Sequence, residues 1–582
     1  MMTEKIARQR SRTAPKRWAE PPDLPELPGR LHQYPLMHRL LALRGIRTAG
    51  EAATFLDRSP SLFPDPFQMA DMELAVERIT RAIVDVERIA VYGDYDVDGI
   101  TSAAIMRLGL QGVANEPSLI QSRLPTRAEG YGLNPQSIDN FVSQGATLLI
   151  AVDCASTDES NVAYAQSRGL DVVIIDHHHM TCDGPAGAIT ISPARPDCGA
   201  YREMSAAGLC LLVIAALETS VPLRSRNIEG MARQLVDLAA LGIVADVSSM
   251  LGVNRNVVRE GLRLMREKPR TGIRALCDSA GIDCRTLNTT NIGFQIAPRL
   301  NAAGRMDDPQ QALDLLLTSD PFLAREIAAH LEALNHERRR ETEVIVNDVL
   351  DRQESEQQDS DSLVIVESAT GWRTGILGLA AGKLAEQLGK PVILLSEQDG
   401  LATGSCRSVE GYNIIEALHR HADILGRFGG HSQAAGLTLA TANLDALRSG
   451  LNEDAAASGL PLPVETRIQV DADLDLSDLT LETARLITAL SPFGADNPEP
   501  VFRLCNVKIL RAETMGKDNS HLRMVWRGPR GEVRAPFFGA AYRASEIRWS
   551  QQVDLVCTLA VRQWNGPQLD VKVLDFRGSE LP

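Results

Sequence analysis

The chain has 582 residues, 44% of them hydrophobic and 23% charged, which is more than one hydrophobic core organises and predicts three or four globular domains. No apolar run approaches the ~18 residues of a membrane span, the longest being residues 209–217, and no signal-like apolar segment opens the chain; no spanning helix is expected and the cytoplasm is the expected location. The formal net charge of -15 excludes a surface that is basic all over, so a nucleic acid would be held in a local groove or through bound cations.

In chain order, the first segment (1–80) opens with Lys5, Arg8, Arg10, Arg12, Lys16 and Arg17 before an amphipathic helical stretch; it reads as a frayed tail or as an arm that touches DNA. From residue 81 to 310, short β-branched runs alternate with helical ones: 89–92 then 100–110, 148–152 then 161–167, 172–175 then 206–217. Strand and helix in alternation predict a parallel, doubly wound sheet of the α/β class. A long charged helix and an acidic, glutamine-rich piece (351–361), read as a solvated linker, occupy 311–361. A second α/β block fills 362–460. The last segment, 461–582, carries short β runs and an Asn565-Gly566 hairpin signal, which suit a small OB-like β-barrel. Nine cysteines without a Cys-x-x-Cys pair suggest buried free thiols rather than structural zinc or a disulfide framework.

The strongest local signal is Asp94, Asp96 and Asp98, three carboxylates at alternating positions just past the C-terminal end of a predicted strand, the edge at which open α/β sheets bind ligands. Close carboxylates repel one another unless cations offset them, which favours a metal site over a solvated turn. The next strands end in Asp153 and in Asp176-His177-His178-His179. Asp246 closes the apolar run 235–245, where it is either a further acid of the cluster or an exposed helix end. Carboxylates with one or two imidazoles suit manganese or magnesium better than zinc, and this many acids carry charge enough for two ions, which points to phosphoester hydrolysis. His177 is the candidate ligand, His178 a candidate phosphate contact, and His179 has no assigned work.

Four of these segments, GDYDVDGITS (93–102), AVDC (151–154), DHH (176–178) and ADV (245–247), resemble the metal-binding motifs of the DHH phosphoesterase superfamily. APRLNAAGR (297–305), GSCRS (404–408), FGGHSQAAG (428–436) and PFGADNPEP (492–500) narrow the resemblance to RecJ exonucleases, from residue 40 to the C-terminus. The resemblance implies a DHH catalytic domain joined by the long helix to a DHH-associated substrate-binding domain, with an OB-like domain after it. It implies Asp96, Asp98, Asp153, His177 and Asp246 as metal ligands, Asp94 beside them, and His178 on the scissile phosphate. Arg299, Asn301 and Arg305 would line the cleft floor; Arg127, Ser405 and Arg407 would hold the terminal 5′ phosphate. Gly430 would let backbone N–H groups approach that anion, with His431 beside it.

The implied activity is single-strand-specific exonuclease action on DNA, releasing 5′ mononucleotides by a two-metal mechanism in repair and recombination. The enzyme would be a monomer, with a single-strand-binding protein and a RecQ-type helicase as partners. A cleft between the two α/β domains would admit one strand and exclude duplex. Trp526, Phe537, Phe538 and Trp564 are either base-stacking residues or core of the barrel. The rival readings are a DHH phosphoesterase for cyclic dinucleotides or short oligonucleotides, and an inactive replication scaffold. Four positions depart from the family pattern: Ala155 stands where glycine is usual, Arg373 where histidine is expected, and Ser248-Ser249 where an apolar residue and proline follow the acid.

Overall fold

Five short runs, four of them carrying several β-branched residues, become one parallel sheet: β1 (Arg88–Tyr92), β2 (Ile120–Arg123), β3 (Ala146–Val152), β4 (Asp171–Ile175) and β5 (Ile189–Ile191), in the spatial order β2-β1-β3-β4-β5. The computed structural model describes residues 16–579 except 28, 58–60, 181–182, 227, 356–361, 460–461, 517–518, 548–551 and 564–565. The chain divides into two units, one of Gly50–His336 with Leu490–Glu499, the other of Met1–Ala49, Glu337–Ala489 and Pro500–Pro582.

In the first unit, alternation along each strand sorts side chains to two cores. Ile89, Val91, Leu148 and Ile150 pack with helices Met72–Val84, Val97–Val113 and Ala206–Leu217; Ala90, Tyr92, Leu149 and Ala151 pack with Pro135–Ser143 and Glu159–Ser167. Helix Ala206–Leu217, the most apolar run of the sequence, is buried on nearly every face. From β1 the chain goes first to one neighbour, β2, and then to the other, β3, so a topological switch point falls at the C-terminal end of β1. The residues after Tyr92 sit there.

In the second unit the sheet is mixed rather than parallel throughout. β6 (Ile365–Thr370) and β7 (Val392–Gln398) are parallel, whereas β7 with β8 (Leu401–Arg407), β8 with β10 (Ala434–Ala440) and β9 (Leu425–Gly430) with β10 are antiparallel. The cause is local: Asp399 and Gly400 both take positive φ, the two-residue hairpin chemistry that turns β7 straight back into β8. The barrel comprises β11 (Phe502–Met515), β12 (His521–Gly528), β13 (Gly531–Phe537), β14 (Gln552–Gln563) and β15 (Pro567–Gly578), antiparallel in the order β13-β12-β11-β14-β15, with β13 and β15 in contact to close it.

Several expectations need correction. Lys16 and Arg17 belong to neither a frayed tail nor a free arm: Lys16–Ala19 pairs in parallel with Thr466–Gln469, and Trp18 anchors it by donating its indole N–H to Asp575 at 2.7 Å with Arg577 stacked on its ring. Lys5, Arg8, Arg10 and Arg12 lie outside the described residues. The start of the expected linker is helical, because helix Pro321–Ser355 continues through it; Arg352 pairs with Asp348 at 2.7 Å and Gln353 donates to Glu367 at 3.0 Å. Residues 356–361 lie outside the described ones. Trp526 and Phe537 are barrel core, at 0% and 5% exposure, while Phe538 is exposed; Trp564 and Asn565 lie outside the described residues. Among the described cysteines, all free, Cys505 is exposed and Cys284 partly so, and the others are buried. Among the described residues no helix is long and apolar enough to cross a membrane.

Candidate metal centre

Each acid of the cluster is delivered by a strand or helix end. Asp96 caps helix Val97–Val113, its Oδ1 accepting from the N–H groups of Asp98 and Gly99 at 2.9 and 3.2 Å, an ordinary N-cap that also fixes the loop before it. Asp98, in the first turn, is buried against the start of helix Ala206–Leu217, accepting from Ser205 Oγ, Ala206 N and Ala207 N at 2.9, 2.8 and 3.1 Å. Asp153 follows β3 in the left-handed region at φ 60°, tied by its N–H to Ile175 O of the neighbouring strand at 2.9 Å. Asp246 caps the end of helix Met231–Ala245.

His177, at the end of β4, stands among these acids. Its Nε2 lies 3.3 Å from Asp153 Oδ1 and 3.8 Å from Asp98 Oδ2, and its Nδ1 3.8 Å from Asp246 Oδ2. Three overlapping triads, Asp94-Asp96-Asp153, Asp98-His177-Asp246 and Asp153-His177-His178, each bring their ligand atoms within 4.8 Å of one another. Burial, then the negative charge of Asp96, pushes Asp94 up to about 7; burial, then Asp246 and Asp96, holds Asp98 well above the usual carboxylate range. Burial, then Asp98, Asp96 and Asp94, does the same to Asp153. Asp94 Oδ1 and Asp153 Oδ1 are buried without a hydrogen-bond partner. Orphaned anionic oxygens in a cluster that raises its own proton affinity are what a divalent cation would satisfy, so the residues fit the ion.

His178 is held differently. Its Nδ1 lies 2.7 Å from Asp176 Oδ1, which also accepts from the His178 N–H at 3.2 Å, while Ser156 N donates to Asp176 Oδ2 at 3.1 Å. Burial opposes the charge on both groups but their pairing wins, bringing Asp176 to about 2 and His178 to about 9. Asp176 therefore orients an imidazolium beside the cluster. The hydroxyl of Tyr131 lies 3.2 Å from that ring and 3.3 Å from Asp153 O. Sequence reading passed over Tyr131; the available signal was Gly130-Tyr131-Gly132, whose two glycines take φ of 93° and 87°.

Other predicted residues fall into place or are reassigned. Arg127 is exposed, its guanidinium 4.4 Å above the Tyr95 ring in the acidic loop and its Nε 3.3 Å from Gly304 O. Asn301 Oδ1 accepts from Val97 N at 3.1 Å, which ties the helix Ala297–Met306 to the acidic loop, and Arg305 acts electrostatically on Tyr95. Arg299 does not line an open floor: it is 5% exposed, paired with Glu332 at 3.0 Å through Nη2 and donating to Gln295 O at 2.6 Å. Its helical position turns it inward, where a guanidinium needs an anion. His179 is exposed. Among the departures, Ala155 adopts φ 79° without being glycine, a strain of ~1–2 kcal/mol. Ser248 Oγ donates to Asp246 at 2.6 Å.

In the other unit, Ser405 and Arg407 sit on β8 below helix Thr374–Leu388. Burial lowers the Arg407 pKa, and among the described residues no carboxylate faces it; its Nη1 donates to Cys406 O at 2.7 Å. Gly378 makes the space: a Cβ there would lie 2.9 Å from Arg407 Nη2 and 3.5 Å from Ser405 Oγ. A half-buried guanidinium with a neighbouring hydroxyl and no acid has the chemistry to bind an anion. Gly430, at φ 148°, could not be another residue, because a Cβ would meet Ala434 O at 2.4 Å; His431 beside it is exposed. Arg373 instead pairs with Glu341 at 3.3 Å.

A parallel sheet whose strand ends gather carboxylates and a histidine, a mixed sheet with an arginine and a serine side by side, and a closed antiparallel barrel define a DHH-type protein with an OB domain. Family models agree: the DHH family, N-terminal domain matches residues 88–243, the DHHA1 domain 361–457 and the RecJ OB domain 470–575. Among relatives, the single-stranded-DNA-specific exonuclease RecJ of Bacillus subtilis (strain 168) is 34% identical over 552 residues, 93% of this chain and 68% of that protein. The RecJ of Escherichia coli (strain K12) is 31% identical over 570 residues, 94% of this chain and 95% of that protein. The crystal structure of RecJ from Thermus thermophilus in complex with Mn2+ superposes with a TM-score of 0.79 at 27% identity, covering 97% of this chain and 80% of that one. Its Mg2+ complex gives 0.74 at 26% identity, covering 98% and 79%. The chain belongs to the RecJ family.

Proposed function

We propose that this protein is a metal-dependent exonuclease that digests single-stranded DNA from its 5′ end, releasing 5′ mononucleotides. The observation that carries this reading is the cluster of Asp94, Asp96, Asp98, Asp153, His177 and Asp246, with two buried carboxylate oxygens that accept no hydrogen bond. Asp96, Asp98, Asp153, His177 and Asp246 would hold one or two Mn2+ or Mg2+ ions. When bound, such ions polarise water and offset charge on a phosphodiester. The protein's own residues do the rest: His178, kept protonated by Asp176, holds a phosphoryl oxygen and stabilises charge that develops there. Asn301 keeps the acidic loop in place. Arg407, with Ser405 and the backbone at Gly430, binds the terminal 5′ phosphate, and Arg127, on the acidic loop's side, adds positive charge for the strand's phosphates.

The polarity rests on that phosphate pocket together with the family. The presence of every expected acid and of the barrel speaks against an inactive scaffold and against a small-substrate phosphoesterase. The enzyme works in the cytoplasm as a monomer in repair and recombination, receiving strands from a single-strand-binding protein and a RecQ-type helicase. The test is nucleotide release from a 5′-labelled single strand in Mn2+, with Asp153→Ala and a blunt duplex as controls. Labelled mononucleotide appearing first, absent from the mutant and from duplex, is the expected result; label retained on a shortening strand would reverse the polarity, and no release at all would sink the reading.

A further inference from the structure

The groups gathered at the metal centre grip phosphate and offset charge, and none of them grips a base. One exposed side chain, on a turn packed against the helix that ends at Asp246, is suited to that work. Phe294 is 75% exposed in the middle of the turn Ile292–Ile296, a π-helical turn in which the Ala297 N–H reaches Ile292 O. Such turns fit one residue too many and recur at functional positions. Ile292 and Ile296, both fully buried, pin this one into the core at either end. Its side is braced as well: Gln295 O accepts from Arg299, which Glu332 holds, and Asn291 Nδ2 donates to Gln295 Oε1 at 2.8 Å. The buried Arg299–Glu332 pair thus fixes the turn that presents Phe294 outward.

The turn packs against the helix that ends at Asp246. A Cβ on Gly293 would lie 4.0 Å from Val244 Cγ1, two residues before Asp246. Val247, directly after Asp246, is 71% exposed at φ 60°, so the rim on this side is apolar. Phe322 is equally exposed, but Arg325 already covers its ring at 4.8 Å, and single exposed apolar residues of that kind are ordinary surface. No described residue covers the Phe294 ring in that way.

We infer that Phe294 is a substrate-stacking residue: its ring packs on a base of the single strand whose phosphate is held at the metal centre, giving a grip that any sequence satisfies. Every base has a π-face, so stacking is sequence-tolerant. This inference rests on the single-strand nuclease reading above.

The experiment compares wild type, Phe294→Ala and Phe294→Trp on a single-stranded oligonucleotide in Mn2+, and titrates oligothymidine into Asp153→Ala/Phe294→Trp while following tryptophan fluorescence against Asp153→Ala alone. Removing one stacked base contact should raise KM ~5- to 150-fold with kcat nearly unchanged. Phe294→Trp should restore KM, and its added fluorescence should be quenched on strand binding. Thermal unfolding of Phe294→Ala should match wild type, since the ring is exposed. A wild-type KM in Phe294→Ala, or no quenching of the added tryptophan, overturns the inference. If wild type releases no nucleotide, the nuclease reading fails and the fluorescence titration alone decides whether Phe294 meets a strand.

Discussion

Replacing Asp153 by Asn in metal-free protein should stabilise it, the reverse of what replacing a buried hydrogen-bonded acid usually does. Asp153 is 2% exposed, its Oδ1 accepts no hydrogen bond although His177 Nε2 lies 3.3 Å away, and its backbone at φ 60° lies in the region asparagine tolerates. Asp94 and Asp96 offer ligand atoms within 4.8 Å of it. Two unit charges at that separation repel by about 3 kcal/mol at an effective dielectric constant of ~20. Proton uptake relieves part of this near neutrality, because Asp94 is held at about 7. As pH rises through about 7 Asp94 gives up that proton and its repulsion of Asp153 grows, so at pH 8 a net gain of ~1–3 kcal/mol is expected for the amide, or a Tm rise of roughly 2–6 °C. The assay is thermal unfolding at pH 8 in chelator and again in Mn2+. The ion should raise the wild-type Tm strongly and the Asp153→Asn Tm little. A lower Tm for the amide in chelator, together with equal stabilisation of both proteins by Mn2+, would refute the reasoning.

The same cluster predicts a pH dependence. The folded Asp94 carboxyl is raised from 3.8 to about 7, so the folded state prefers it protonated; the penalty is absent below pH 3.8, grows as pH rises and is complete above about 7. Metal-free protein should therefore melt lower at pH 8 than at pH 6, with the gap narrowed by saturating Mn2+, as differential scanning calorimetry would read. Asp176→Asn removes the carboxylate that orients His178 and should cost ~10- to 100-fold in kcat while Mn2+ affinity by calorimetry stays near wild type. Arg407→Ala should raise KM ~10- to 100-fold for a 5′-phosphorylated strand and far less for a 5′-hydroxyl strand in steady-state assays. Trp526→Ala should destabilise by ~3–5 kcal/mol in denaturant titrations, because a fully buried ring leaves the barrel core.

The alternating β-branched runs were legible as strands because each is buried on both faces and bounded by helix-forming sequence. The acids were legible as a cluster because each stands directly after a strand or an apolar helix, and strand order then brings such ends to one edge. Chain order along β1, β2 and β3 made that edge a switch point, a fact of topology that local pattern suggests without specifying. The mixed sheet of the second unit was hidden in one dipeptide, Asp399-Gly400, whose backbone conformation reverses the chain. The solvated-linker reading of residues 351–355 failed because Asp348 and Glu367, which stand outside that segment, supply partners that keep it helical.

Residue types by themselves determined the chemistry at this protein's centre: carboxylates and imidazole in these positions leave little but a hard divalent cation to offset their charge. Only tertiary structure decided what each neighbour does. Arg299 has the chemistry of a phosphate ligand, but the helix turns it onto Glu332; Arg407 has the same chemistry and, among the described residues, faces no acid. A guanidinium's role depends on which anion lies within reach, and that distance is set by packing between segments remote in sequence.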